Sequence, residues 1–207
     1  MAAPITHIVL ADKVFDEYFP NLSKDKFLVG TSFPDIRYLR VIKREQTHPK
    51  NITLSDIKSV ESFNGGLLFH ILIDRVRENY MQENDIYSLM PASKLITQTL
   101  KLLEDELFYD RLENWGLVSS YFDNVLSEEL EYPVKEKDVL KWHKLLQSYL
   151  SDKPTLETRK DFFEAIYFTE ENAKEVEDNL AIIRSNPKVL EIVGSFYKDF
   201  DKLLNNA

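Results

Sequence analysis

The stretch Asn64-Gly65-Gly66-Leu67-Leu68-Phe69-His70-Ile71-Leu72-Ile73-Asp74 decides how this chain is read. It sets a histidine and an aspartate four residues apart inside an otherwise apolar run. On a helix, positions i and i+4 share a face, so His70 and Asp74 point the same way. A run this apolar is expected to be buried, and burying an imidazole and a carboxylate costs on the order of several kcal/mol unless each finds a partner. The partners are each other, further polar groups or a metal ion, and the choice among them governs function.

Helical periodicity extends outward in both directions from this stretch. The stretch belongs to a long helix over about 55–82, with a bend allowed at Gly65-Gly66. Upstream, Pro4 suits the first turn of a helix running to about Phe19, with Ile8, Ala11, Phe15 and Tyr18 on one side. A short helix follows from Lys24 to Val29 and stops at Gly30. The segment from Thr31 to Thr53 contains Pro34 and Pro49 and reads as irregular, with room for a helical turn at 38–43. Downstream, helices are expected over 91–111, 114–127, 135–151, 155–167, 170–184 and 187–205, with Thr169 and Asn186-Pro187 as start signals. The fold class is therefore all-α, a single domain over 1–207 with about eight helices. Within it, 1–112 forms the half that bears the candidate site and 113–207 a packing half.

Composition narrows the function. Of 207 residues, 43% are hydrophobic, enough for a sizeable core. The formal charge of −9 argues against strong nucleic-acid binding through a phosphate-neutralising surface. It leaves open a small phosphoester held by local cations. With no cysteine, a disulfide framework and a thiolate metal site are both excluded. The first residues show no signal peptide, and no apolar run reaches membrane-spanning length, so a cytoplasmic protein is expected. Oligomeric state is not legible.

Three of the four histidines and three of the five glycines lie within the first 70 residues. Chemistry is expected there. The candidates are His7, Asp35 in Phe33-Pro34-Asp35, His48 before Pro49, and the pair His70/Asp74. Without cysteine, imidazole and carboxylate are the donors that zinc, manganese or iron sites use. Gly65-Gly66, one turn before His70, lets another backbone approach closely. Each residue also has an ordinary role open to it. His70 can be a hydrogen-bonded core histidine, Asp74 a partner of Arg75, Arg77 or Arg37, Asp35 a turn or cap residue, and His48 a loop residue.

Their order resembles that of the zinc-dependent phospholipase C family, which is related to P1-type nucleases. The resemblance is carried by Thr6-His7-Ile8, Gly30-Thr31-Ser32-Phe33-Pro34-Asp35, Thr47-His48 and Gly66-Leu67-Leu68-Phe69-His70-Ile71-Leu72-Ile73-Asp74, over about residues 5–80. It implies an all-helical fold like that of the family. It also implies that His7 and Asp35 hold one metal and that His48, His70 and Asp74 hold another. The activity it implies is phosphoester hydrolysis by metal-activated water, with Asp35 as proton acceptor. Arg37 and Arg40, directly after Pro34-Asp35, are the candidates for contacting substrate phosphate or a phospholipid head group, with pairing to surface acids the equal alternative.

The chain departs from the family after His70. No histidine occurs before His143, which sits among lysines in a later helix and reads as a surface or packing residue. The family's N-terminal tryptophan is also missing, so a reduced site of one or two metals is expected. Glu104 and Asp105 are possible additional carboxylates, although an acidic run is also an ordinary solvated face. Tyr38, Tyr80, Tyr109 and Trp115 are either pocket or core aromatics. Two functions follow: a metal-dependent phosphoester hydrolase, with zinc the first choice and manganese or iron next, or a non-catalytic helical protein whose His/Asp cluster serves structure or partner binding. An HD-type phosphohydrolase needs adjacent His-Asp, and no histidine here is followed by aspartate.

Overall fold

Ten α-helices linked by short 3-10 turns make up residues 3–205, which are the residues described by the structure, a computed structural model. They are α1 (Pro4–Tyr18), α2 (Lys24–Ser32), α3 (Leu54–Lys58), α4 (Ser62–Glu83), α5 (Ile96–Phe108), α6 (Trp115–Ser120), α7 (Glu136–Leu150), α8 (Leu156–Ala165), α9 (Glu170–Ile183) and α10 (Pro187–Leu204). No strand occurs among the described residues, and no helix there is long and apolar enough to cross a membrane. One continuous apolar cluster runs from Ile5 to Leu204 through both halves of the chain.

The expected start signals act as read. Pro4 lies in the first turn of α1, Thr169 accepts from the Asn172 N–H, and Asn186 accepts from the N–H groups of Lys188 and Val189. Other boundaries move. The expected helix over 55–82 is two helices, because Thr53 and Asp56 form a capping box on the short α3 and the chain restarts at Ser62. The expected 91–111 and 114–127 helices shorten to α5 and α6, the latter begun by Asn114 capping the Leu117 N–H. The segment after Thr31 carries two 3-10 helices, at Phe33–Leu39 and Arg44–Gln46, within otherwise irregular chain.

Gly30 does not stop α2, which continues to Ser32. It serves packing instead. A Cβ on Gly30 would lie 2.0 Å from the Phe63 carbonyl oxygen, and a Cβ on Gly66 would lie 1.9 Å from that of Phe27. Two glycines, one on each helix, thus let α2 and α4 meet backbone to backbone. α4 runs through Gly65-Gly66 without interruption.

Around this crossing the phenylalanines interlock. Phe27 sits 5.2 Å from Phe15, 4.8 Å from Phe19 and 5.5 Å from Phe69, ring centre to ring centre. On the other side of α4, Phe33 meets Phe63 and Tyr132. α10 closes the core from the far end of the sequence through Phe196, which meets Tyr80, and Phe200, which meets Phe69.

The two kinds of glycine separate in a stability measurement. Gly66→Ala is expected to cost about 3 kcal/mol, because neither backbone can yield without opening the phenylalanine core. Gly194→Ala, at an exposed position of α10 with nothing within 4 Å of the added methyl, is expected to stabilise by about 0.5–1 kcal/mol. Urea unfolding of both variants checks the pair, and equal midpoints would count against the close crossing.

Candidate metal centre

The helix crossing delivers one hydrogen bond that organises the site. α2 ends because Pro34 lacks the N–H that would extend its ladder, so carbonyls of its last turn need other donors. The Thr31 carbonyl accepts from His70 Nδ1 at 2.9 Å, and the Ser32 carbonyl accepts from Trp142 Nε1 of α7 at 3.2 Å. On α1, His7 Nδ1 makes the same kind of bond, 2.8 Å to the Ala3 carbonyl. A carbonyl can only accept, so in both histidines Nδ1 carries the hydrogen. In the neutral ring Nε2 then presents a lone pair.

The two rings stack, with centres 4.0 Å apart and planes within 9°. Each is buried, and neither Nε2 has a hydrogen-bond partner. Asp74, one turn beyond His70 on α4, faces both. Its Oδ1 lies 3.5 Å from His7 Nε2 and its Oδ2 lies 3.7 Å from His70 Nε2, too far for good hydrogen bonds. Ligand atoms of His7, His70 and Asp74 all fall within 4.8 Å of one another. A tetrahedral zinc ion with bonds near 2.0–2.1 Å to nitrogen brings its ligand atoms to about 3.3 Å apart, so about an ångström of side-chain movement closes the group on an ion.

His48 and Asp35 adjoin this trio. The His48 ring meets His70 edge-on at 5.5 Å, its Nδ1 lies 2.9 Å from Thr47 Oγ1, and its buried Nε2 is likewise unpartnered. Asp35, buried on the 3-10 helix Phe33–Leu39, receives Arg37 Nη2 at 2.9 Å. Lys101 of α5 donates to Asp74 Oδ1 at 2.8 Å.

The electrostatics follow from burial. His70 is pushed down to about 3, by burial first and then by the neighbouring His7 and His48, despite Asp35 and Asp74. His48 is pushed down to about 4 by burial, Arg44 and Arg37. Burial works against ionised Asp35, but attraction to His70, Arg37, His7 and Lys101 overcomes it and holds the carboxyl at about 2. At neutral pH His70 is uncharged, so Arg37 and Lys101 supply the lasting part of that attraction. Asp74 lies well below the usual carboxylate range: burial opposes ionisation, and Lys101 outweighs it with help from the histidines.

Five of the residues singled out in the sequence, His7, Asp35, His48, His70 and Asp74, thus share one buried neighbourhood. The others are engaged in different ways. Arg37 is bound to Asp35 and to the Tyr38 hydroxyl. Arg40, in a left-handed backbone conformation with φ 62°, lies over the ring of Tyr167. Glu104 is taken by Arg77, whose Nε and Nη2 both donate to it at 2.6–3.0 Å. Asp105 accepts from the Thr6 N–H and hydroxyl, both at 2.7 Å. His143 is a core residue, 2.9 Å from Glu129 and edge-on to Phe122. Tyr80 packs on Phe196, and Tyr109 stacks on Trp115.

Two contributors carried no signal in the sequence. Lys101 is the one cation of α5 and sits at ordinary helical spacing, and the Thr31 carbonyl is backbone. The cue that could have exposed Thr31 was Pro34, which leaves carbonyls unpaired one turn earlier.

Comparison with protein-family models, curated proteins and solved structures finds no match to this chain.

Asp105 gives a pH test of this region. Full burial pushes its carboxyl up to about 7, the bonds from Thr6 only partly opposing. The folded chain therefore keeps this proton between about pH 4 and 7 while the unfolded chain releases it. Its contribution to stability is complete below about pH 4 and is lost as pH rises through 7. Asp105→Asn mimics the protonated form and still offers Thr6 an acceptor. Relative to this variant, the wild-type chain is expected to lose stability from about pH 4 to 7 and then run parallel, which unfolding measured across pH would show. A constant difference would refute the assignment.

Proposed function

We propose that the protein is a metal-dependent hydrolase of a small phosphoester with a reduced His/Asp site. His7, His70 and Asp74 would hold a divalent cation, with Asp35 and His48 beside it. The observation that carries this reading is that acceptors face acceptors. Two imidazole Nε2 atoms, aimed by Nδ1–H bonds to carbonyls, converge without partners on a carboxylate that is itself bound by Lys101. Buried nitrogens are rarely left so, and a cation in their midst satisfies both while sharing Asp74 with Lys101. The bond from each Nδ1 to a carbonyl is also the support that metal-binding histidines characteristically have.

Two nitrogens and a carboxylate suit zinc first and iron or manganese next. When bound, such an ion acidifies water and neutralises charge building on phosphoryl oxygens. The chain's own residues set the rest. Lys101 fixes the Asp74 carboxylate, Thr31 and Ala3 fix the two rings, and the apolar core behind them keeps the site dry. Asp35, held at about 2, suits ligation better than proton transfer, since an effective base at neutral pH has a pKa nearer 7.

One observation favours the second reading, a non-catalytic core cluster. Both carboxylates already have cations, Asp35 with Arg37 and Asp74 with Lys101. In that reading charge is balanced without an ion, and the cluster serves to hold α1, α4 and α5 together.

Thermal unfolding with and without metal separates the two. At a hundredfold excess over Kd, zinc should stabilise the wild-type chain by about 2.7 kcal/mol, and His70→Ala and Asp74→Asn should abolish that gain. Zinc-dependent cleavage of p-nitrophenyl phosphate, lost in the same variants, is the activity expected. If zinc, manganese and ferrous ion all leave unfolding unchanged, the structural reading replaces this one.

A further inference from the structure

Beside Asp74 the surface opens into a cleft of about 300 Å³ lined by Arg44, Ile71, Asp74, Arg75, Arg77, Glu78, Thr97 and Lys101. That volume is at the small end of ligand cavities, which run about 300–1,000 Å³. Four cations line it against two carboxylates, in a chain whose formal charge is −9. Local charge of this sign inside an acidic molecule favours a small anion, while the surrounding surface repels a long polyanion.

The cations differ in how much of their bonding is committed. Arg77 is buried and committed to Glu104, Glu78 and Tyr87. Arg75 gives one N–H to the Ile52 carbonyl at 2.7 Å. Lys101 gives one of its three donors to Asp74. The Arg44 guanidinium, exposed on the 3-10 helix Arg44–Gln46, has no partner among the described residues, yet its charge reaches His48. Donors are thus left over on Arg44, Arg75 and Lys101 around a cleft whose floor includes Asp74. Phosphoryl oxygens are what such donors bind best, by charge-assisted and forked hydrogen bonds.

We propose that this cleft is a phosphoryl subsite in which Arg44, Arg75 and Lys101 hold the dianionic head of a small phosphomonoester against the Asp74 side of the His/Asp cluster. The catalytic meaning of the subsite rests on the metal-site reading above, whereas its recognition of phosphate rests on the cations alone. Three cations and a small volume favour a dianion with one ester arm over a phosphodiester, which carries a single charge and a second organic group.

Calorimetric titration of the full-length chain tests this, using inorganic phosphate and dimethyl phosphate as probes, with zinc binding measured separately. Phosphate is expected to bind at least tenfold more tightly than dimethyl phosphate. Arg44→Gln, at an exposed side chain with no hydrogen bond or ion pair among the described residues, should weaken phosphate about tenfold, leave unfolding unchanged and not weaken zinc. Arg44→Lys should restore part of the loss. Zinc binding without phosphate binding, phosphate binding indifferent to Arg44→Gln, or equal affinity for the two probes would overturn the subsite while leaving the metal reading intact. Phosphate binding that depends on Arg44 in a chain that takes up no zinc would support the subsite and sink the metal reading instead.

Discussion

The backbone contact between α2 and α4 is what the rest of the molecule depends on. Gly30 and Gly66 remove the two side chains that would hold these helices apart, and a methyl group at either place would collide with a carbonyl. The closeness has a chemical consequence. It brings the end of α2 within reach of His70, so the orphan carbonyl of Thr31 and the imidazole Nδ1 satisfy one another. The same helix end binds Trp142 from α7 through Ser32, which ties the second half of the chain to the site-bearing half. One crossing therefore sets both the aim of His70 Nε2 and the docking of the later helices.

The helices were legible because their signals are local: apolar periodicity, Pro4, Thr169 and Asn186-Pro187. Misreadings arose where a local rule met a tertiary demand. Gly30 looks like a stop signal, but here its missing side chain admits a neighbouring backbone and the helix continues through it. The break between α3 and α4 is not legible in the sequence because no Pro or Gly marks it, and the short α3 is started by a Thr53/Asp56 capping box. Candidate ligands were legible as residue types in an unusual order, whereas their supports were not. Lys101 is a charge at ordinary helical spacing, and Ala3 and Thr31 act through backbone oxygens that no side chain announces. Arg37 and Arg40 were placed next to the right aspartate, but sequence proximity does not say whether a guanidinium is already taken. Arg37 is, by Asp35, and Arg40 lies on Tyr167.

Buried charge is distributed unevenly, and the distribution separates support from chemistry. Arg77 and Glu104 lie wholly inside and are matched by a two-pronged bond, so they form a closed structural pair. At the α7 end Glu129 is matched by His143 Nε2 at 2.9 Å, while the Nδ1 of that ring stays buried without a partner. In the His/Asp cluster the carboxylates are matched but the imidazoles are not: three Nε2 atoms, of His7, His48 and His70, remain without partners. An arrangement built solely for stability has reason to pair its nitrogens as well as its oxygens, since each unpaired buried polar atom costs on the order of 1–3 kcal/mol.

This imbalance bears on which ion the site would select. Because Arg37 and Lys101 already neutralise Asp35 and Asp74, a hard cation that depends on anionic oxygen has less to gain here than at bare carboxylates. What the cluster offers unspent is nitrogen: three Nε2 atoms whose rings are aimed by their Nδ1 bonds, two of them, in His48 and His70, kept neutral by burial. Imidazole suits zinc and iron far better than magnesium or calcium. On the metal-site proposal, the cations that compete with a metal would thus act as a filter, discounting oxygen-seeking ions and leaving the nitrogen donors to decide.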